Sequence, residues 1–198
     1  MRKQHSGFSL IELLVSMTIF TVVVTITTGS LIVLIDSNTR AQSIQSAVGN
    51  LTFALDSMTR EIRTGTFYFC RNYNQPPVVG QNTTSVSNCL TGGNYLSIIE
   101  GGDSLTGGRI SYYYDDDHYG EGHGAVLRRL AASGNNWQAI TSENVRITEM
   151  EFVVTRTNPN DLRQPSVTVY IAGEAGDIPG SESDFAIQTT VVQRTLDI

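Results

Sequence analysis

The sequence predicts an α+β chain: one long N-terminal helix, half membrane segment and half amphipathic, packed on an antiparallel β-sheet domain. Three observations predict it. Gly7 to Ile35 is apolar or hydroxylic at nearly every position. Between Ala41 and Ile62 apolar side chains recur at alternating spacings of three and four. Beyond Gly93 the period becomes two, with glycine-rich turns between the runs.

The apolar stretch comes first in the chain. At about 1.5 Å rise per residue it covers roughly 40 Å, more than a hydrocarbon core of roughly 30 Å. It holds no proline, and Arg2 and Lys3 precede it. The short N-terminal end is therefore expected to stay cytoplasmic while the bulk of the chain crosses. Glu12 is the only ionisable residue in the stretch. A carboxylate so far into an apolar helix costs on the order of a few kcal/mol unless something pairs with it.

The residues around that acid are Gly7-Phe8-Ser9-Leu10-Ile11-Glu12-Leu13-Leu14-Val15, behind a short basic leader. This resembles the class III signal of type IV pilins and type II secretion pseudopilins. The resemblance implies a pilin-like fold and processing by prepilin peptidase, with cleavage after Gly7 and methylation of the new N-terminal Phe8. It implies that Glu12 pairs with the N-terminal amine of a neighbouring subunit during assembly. It also implies a set of partners: other pilins or pseudopilins, the inner-membrane assembly platform, and membrane lipid before assembly. The domains expected are a cleaved leader at 1–7, a transmembrane and assembly helix at 8–35, an amphipathic helix half at 36–64, and an exported β-rich domain at 65–198.

Composition narrows the possible functions. Formal net charge is −6, and losing Arg2 and Lys3 with the leader makes it −8. An acidic exported domain is a poor phosphate-backbone binder, so nucleic acid is not an expected partner. Lys3 is the only lysine, which excludes lysine-based catalysis in a processed chain. Cys70 and Cys89 are the only cysteines. In an exported domain an even pair reads most simply as a disulfide closing a loop, the alternative being two reduced thiols. Their spacing fits no zinc motif.

Within the anchor, Thr18, Thr21, Thr25 and Thr28 share one face. They mark either a close helix contact or hydroxyls bonded back to their own helix. The amphipathic half places Ala41, Ile44, Val48, Leu51, Leu55, Met58 and Ile62 on its apolar stripe, with Arg60 and Arg63 near its end and Gly65 as a stop. Glu61 lies off that stripe and receives no role. Thr66 to Gly93 reads as an irregular connection bracketed by the two cysteines. The strands expected beyond it are Tyr95–Ile99, Arg109–Tyr114, Ala125–Leu130, Trp137–Ile140, Thr148–Arg156, Val167–Ala172 and Ala186–Thr195.

Within the family, three stretches resemble minor pilins of the PilW type and minor pseudopilins of the J type. They are Leu55 to Arg63, Asn144 to Phe152, and Pro165 to Val169 together with the closing Thr189 to Arg194 strand. Gly29 sits where many major pilins carry a helix-kinking proline. The cysteine pair follows the helix directly, whereas many major pilins place theirs near the C-terminus. Both departures favour a minor subunit that primes or caps the tip. The alternative function is a tip-located binding module, an adhesin or DNA uptake receptor.

Chemistry-bearing clusters are few. Asp115, Asp116, Asp117 and Glu121 offer oxygen ligands suited to calcium, but without EF-hand spacing, so an Asp- and Gly-rich turn is the simpler reading. His118 and His123 lack any metal-protease spacing. Arg128 and Arg129 are adjacent in a strand and so point to opposite faces. No serine sits in a nucleophile elbow, and no glycine pair opens a phosphate loop. No catalytic residue and no cofactor is assigned, and an enzyme is not expected. The processing assignment is directly checkable: Gly7→Ser blocks leader removal, and a mutant that migrates on a gel like the processed chain overturns it.

Overall fold

The computed structural model describes residues 9–77, 85–101, 109–130, 136–158, 163–175 and 182–194. The chain forms two compact units, one ending at Gln42 and one starting at Ser43. One helix, α1, runs Leu10–Thr64, and the boundary falls within it.

In the first unit α1 is exposed throughout, from Leu10 and Ile11 to Leu34 and Ile35, and it is long and apolar enough to cross a membrane. Ser9 opens the helix, its carbonyl accepting from the amides of Glu12 and Leu13 at 3.1 and 3.3 Å. The threonine hydroxyls bond back within the helix. Thr18 donates to the Val15 carbonyl, Thr21 to Met17, Thr25 to Thr21 and Thr28 to Val24, at 2.7–2.8 Å. Nothing lies within 4 Å of a Cβ built on Gly29, so the helix passes through that position unobstructed.

The second unit is two antiparallel sheets around the last five turns of α1. Strands β1 (Thr66–Arg71), β2 (Tyr95–Ile99), β3 (Arg109–Asp115), β4 (Ala125–Leu130) and β5 (Gln138–Ala139) form a five-stranded sheet in sequence order. Strands β6 (Val145–Thr155), β7 (Ser166–Ala175) and β8 (Ser183–Val192) form a three-stranded one. The expected α+β architecture holds, but its single sheet resolves into two. They meet through Phe152 and Gly93, whose amides and carbonyls exchange bonds at 2.8 and 3.0 Å, and through a matching exchange between Cys89 and Val154.

The main core is where α1 meets both sheets. Ala47, Leu51, Leu55, Met58 and Ile62 face Tyr68, Leu96, Ile98, Ile110, Tyr112 and Val126 of the first sheet, and Phe152, Val154, Val167, Val169 and Ile171 of the second. The burial of such side chains, at roughly 1.5–3 kcal/mol each, is what fastens the helix to the domain. The predicted stripe is only partly buried. Leu51, Leu55, Met58 and Ile62 go inside, whereas Ile44 and Val48 stay exposed and Ala47 takes the buried place beside them. Ala41, in the first unit, is also exposed.

Gly65 ends α1 as expected, its amide bonding to the Glu61 carbonyl at 2.9 Å. A Cβ there would meet that carbonyl and the Ile98 side chain, each at 3.0 Å, so glycine allows the strand to leave the helix closely. Tyr68 then caps the helix end, its hydroxyl donating to the Ile62 and Gly65 carbonyls at 2.6 and 2.9 Å.

Strand β1 is where the expectation fails. Thr66–Arg71 is paired with β2 and is no irregular connection. A bulge between Thr66 and Phe69, with Phe67 at φ 52°, breaks the alternation, and Tyr68, Phe69 and Cys70 are buried in succession. The same effect shortens the sequence reading of β6, which begins at Val145, before a bulge between Ile147 and Glu149. β5 is shorter than expected and β7 longer. β8 starts three residues earlier than predicted and ends at Val192, while Thr195 lies outside the described residues.

The first sheet is covered on both sides. Its outer face carries a second cluster of Phe69, Tyr95, Tyr113, Ala125 and Leu127, joined by Tyr73, Tyr119 and Trp137. Arg129 lies buried in it with its guanidinium 4.9 Å from the Trp137 ring, and Nη1 donates to the Pro77 carbonyl at 3.2 Å. Arg109 is buried nearby, donating from Nε to Ser97 Oγ at 2.9 Å and from Nη2 to the Phe67 carbonyl at 3.0 Å.

Cys70 and Cys89 form a disulfide across a sequence separation of 19, with Cα atoms 5.6 Å apart. In the chain-entropy account, closing a loop of that length stabilises by about 3 kcal/mol. Replacing both cysteines with serine is expected to lower the free energy of unfolding in urea by that amount, with a lower midpoint; an unchanged midpoint would show that the loop gains nothing from closure.

Candidate functional site

Two glutamates in α1 lie in apolar surroundings, Glu12 in its first turn and Glu61 in its last. Gly7 and Phe8 lie outside the described residues. Glu12 sits in the first turn of α1, where a carboxylate is favourable near the positive end of the helix dipole. Its neighbours Leu10, Ile11, Leu13 and Leu14 are all exposed, at 79, 69, 58 and 55 %. Among the described residues no cation pairs with Glu12. The site is thus one acid in a long apolar surface that nothing in the described chain covers.

Glu61 is the functional residue that the sequence reading passed over. It lies beside the buried Ile62, and its carboxylate is held by two side chains from the first sheet. Arg128 donates to it from Nη2 at 2.5 Å and from Nε at 3.1 Å, and the Tyr112 hydroxyl also donates to it. The arrangement is a bidentate charge-assisted pair, only 24 and 19 % exposed at the two side chains. The hydrogen bond to Glu61 raises the Arg128 pKa. Burial pushes the Tyr112 hydroxyl well above the usual tyrosine range, and the Glu61 charge adds to it. Register explains the meeting, since Tyr112 pairs with Arg128 across β3 and β4 and both point to the helix side. The adjacent Arg129 points to the opposite face, as the strand period requires. A clue was present in the sequence: Glu61 directly precedes a core residue, and alternation in β4 turns Arg128 towards the helix.

The acidic turn between β3 and β4 is bonded within itself. Asp117 Oδ1 accepts from the Gly122 amide at 2.8 Å, and Asp115 Oδ2 lies 3.3 Å from His118 Nδ1. Asp115 Oδ1 accepts from the Asp117 amide at 3.5 Å, and Arg146 Nη2 donates to the Glu121 carbonyl at 2.9 Å. Asp116 is exposed, and Glu121 adopts φ 55° in the turn. Of the four acids considered as calcium ligands, the carboxylates of Asp115 and Asp117 bond within the turn itself. Among the described residues no three His, Cys, Asp or Glu side chains are grouped so as to hold a metal ion.

An exposed helix long and apolar enough to cross a membrane, with an acid in its first turn, leads into a β-rich domain with its own core, a pilin-like α+β fold. The family model described as the prokaryotic N-terminal methylation motif matches residues 2–28. The match covers the N-terminal stretch alone, and it bears out the class III methylation signal read there. No curated protein and no solved structure matches the chain.

The Glu61 contact gives a clear expectation. Glu61→Ala leaves Arg128 and Tyr112 unpartnered in a largely dry site, and costs about 2 kcal/mol of stability in urea unfolding of the second unit. Glu61→Gln keeps one acceptor and costs less. Equal loss in both variants would show that packing, and not the charge, matters there.

Proposed function

We propose that this chain is a minor pilin or pseudopilin. Prepilin peptidase cleaves it after Gly7 and methylates Phe8. It then enters a type IV pilus or type II secretion pseudopilus through its N-terminal helix, as a subunit that primes or caps the tip. Residues 8–35 form the membrane and assembly segment, 36–64 the helix half that carries the domain, and 65–198 the exported part.

The observation that carries this reading is the methylation motif at residues 2–28, with Glu12 in the first turn of an uncovered apolar helix. In lipid, an isolated carboxylate at that depth is costly. Beside the N-terminal amine of a neighbouring subunit it becomes half of an ion pair in a low-dielectric setting, where register is enforced because a shift by one turn strands both charges. Other pilins or pseudopilins, the inner-membrane assembly platform and membrane lipid before assembly are the partners this mechanism needs. The position of the disulfide directly after the helix, and Gly29 in place of a kinking proline, support a minor subunit.

Glu12→Ala tests the central step. The leader is still removed, but the amount of this chain recovered in sheared or purified filaments falls severalfold. Normal filament content in the processed mutant would overturn the pairing.

A further inference from the structure

One side of the apolar strip on α1 has no cover, and the strand beside it has no outer neighbour. The β6 edge of the second sheet is used: Phe152 exchanges bonds with Gly93, Val154 with Cys89, and the Ile147 carbonyl accepts from Gly124 at 3.2 Å. The β8 edge is open. The Gln193 amide donates to the Pro165 carbonyl at 3.1 Å, and the β7–β8 register runs without a shift from Ser166↔Val192 to Ala175↔Ser183. Hydrogen-bonded pairs alternate in an antiparallel ladder, so the odd-numbered residues of β8 bond to β7. The amides and carbonyls of Asp184, Ala186, Gln188 and Thr190 point outward, and among the described residues they have no backbone partner. No proline, lysine or bulge blunts this ten-residue edge.

The helix next to that edge is uncovered too. At about 100° per residue, Glu61 lies roughly 80° to one side of Leu51 and Val48 roughly 60° to the other. Glu61 is turned to the first sheet, through Arg128 and Tyr112. Val48 therefore leans towards the second sheet, whose strand farthest from the first is β8. Val48 is 43 % and Ile44 36 % exposed, although both belong to the stripe that is buried from Leu51 onward. The levels agree as well. Val145, Ala175 and Ser183 form one row across the second sheet, and Val145 lines a small pocket with Ala47 and Asn50 of α1. The start of β8 is thus level with Val48, and its core-side residues there, Phe185 and Ile187, are only partly buried.

A groove therefore runs between β8 and α1, with unpaired backbone on one wall and apolar side chains on the other. We propose that it receives an extended segment of another filament subunit, laid antiparallel to β8 as a fourth strand. The source of the segment rests on the filament reading given above. The groove specifies its chemistry. Alternate residues are apolar, to lie over Phe185, Ile187, Val48 and Ile44. The two ends of the groove carry opposite charge, Asp184 at the start of β8 and Arg194 and Arg63 at its end, all exposed. An antiparallel segment thus enters with an acid beside Arg194 and leaves with a base beside Asp184. Such a contact is heterologous: it joins two different surfaces and lets both membrane segments point the same way.

The test uses the full chain in detergent and a synthetic peptide of alternating valine and threonine, with glutamate first and arginine last. Without peptide the amides of Asp184, Ala186, Gln188 and Thr190 are expected to exchange quickly with solvent deuterium, and with peptide severalfold more slowly. A peptide with arginine first and glutamate last is expected to bind severalfold more weakly. Gln188→Pro removes one outward amide, spares the β7 ladder and is expected to abolish binding. Should that variant fail to fold, the helix wall decides. Val48→Glu puts a charge in the groove and lowers binding severalfold, whereas Phe53→Glu, at a 75 % exposed position on the far side of α1, leaves it unchanged. Edge amides already protected without peptide, no slowing with it, equal binding of the two peptides, binding by a folded Gln188→Pro variant, or equal effects at Val48 and Phe53 overturn the groove. Cys70 and Cys89 are bonded to each other, so Val48→Cys supplies the only thiol. It is expected to react with maleimide in detergent and to be shielded in purified filaments; equal reactivity in both overturns a filament subunit as the source. The peptide assay needs no filament, so its failure leaves the assembly reading standing, and normal filament content of Glu12→Ala leaves the groove standing.

Discussion

The second unit depends on a single strip of helix surface. Leu51, Leu55, Met58 and Ile62 supply one face that two sheets share, and neither sheet has another apolar layer large enough to bury its inner side. Glu61, next to that strip, fixes how the first sheet lies on it. Burial is non-directional and would tolerate the sheet sliding along the helix. A bidentate guanidinium–carboxylate contact is directional and would not. The apolar strip thus supplies the free energy, and the Glu61–Arg128–Tyr112 contact supplies the register.

Two glutamates of one helix solve the same electrostatic problem by different means. Glu61 leaves water only because an arginine and a tyrosine hydroxyl from its own chain receive it. Glu12 has no such partner among the described residues, and its surroundings are more apolar. On the function proposed above, Glu12 is an external register point as Glu61 is an internal one, its counter-charge coming from a neighbouring subunit.

Much of this was legible in the sequence, and the gaps have physical causes. The anchor, the lower half of the stripe, the Gly65 stop and seven of the strands follow from periods of 3.6 and 2 and from turn residues. β1 was hidden because a bulge and a left-handed Phe67 replaced alternation with three successive buried residues. The upper stripe misled because period alone cannot say how far a sheet extends under a helix: Ile44 and Val48 repeat correctly and remain in solvent. The outer aromatic cluster was invisible because it draws on side chains from β1 to β4 together with Tyr73, Tyr119 and Trp137, whose proximity only the fold creates. Glu61 escaped because its partners lie 51 and 67 residues further along the chain. Nothing local announces such a contact.

One small bond closes the domain. The Arg194 amide donates to the Arg63 carbonyl at 2.8 Å, in the last turn of the helix, one residue before Thr64 and two before Gly65, where β1 begins its path. The globular chain therefore leaves the helix and returns to it at nearly the same point. For the filament subunit proposed above, this has a mechanical meaning. A pull transmitted along the helix enters the domain both through β1 and through the Arg63–Arg194 bond, and β1 and β8 share the load. The Cys70–Cys89 bond staples the chain close to where the two sheets meet.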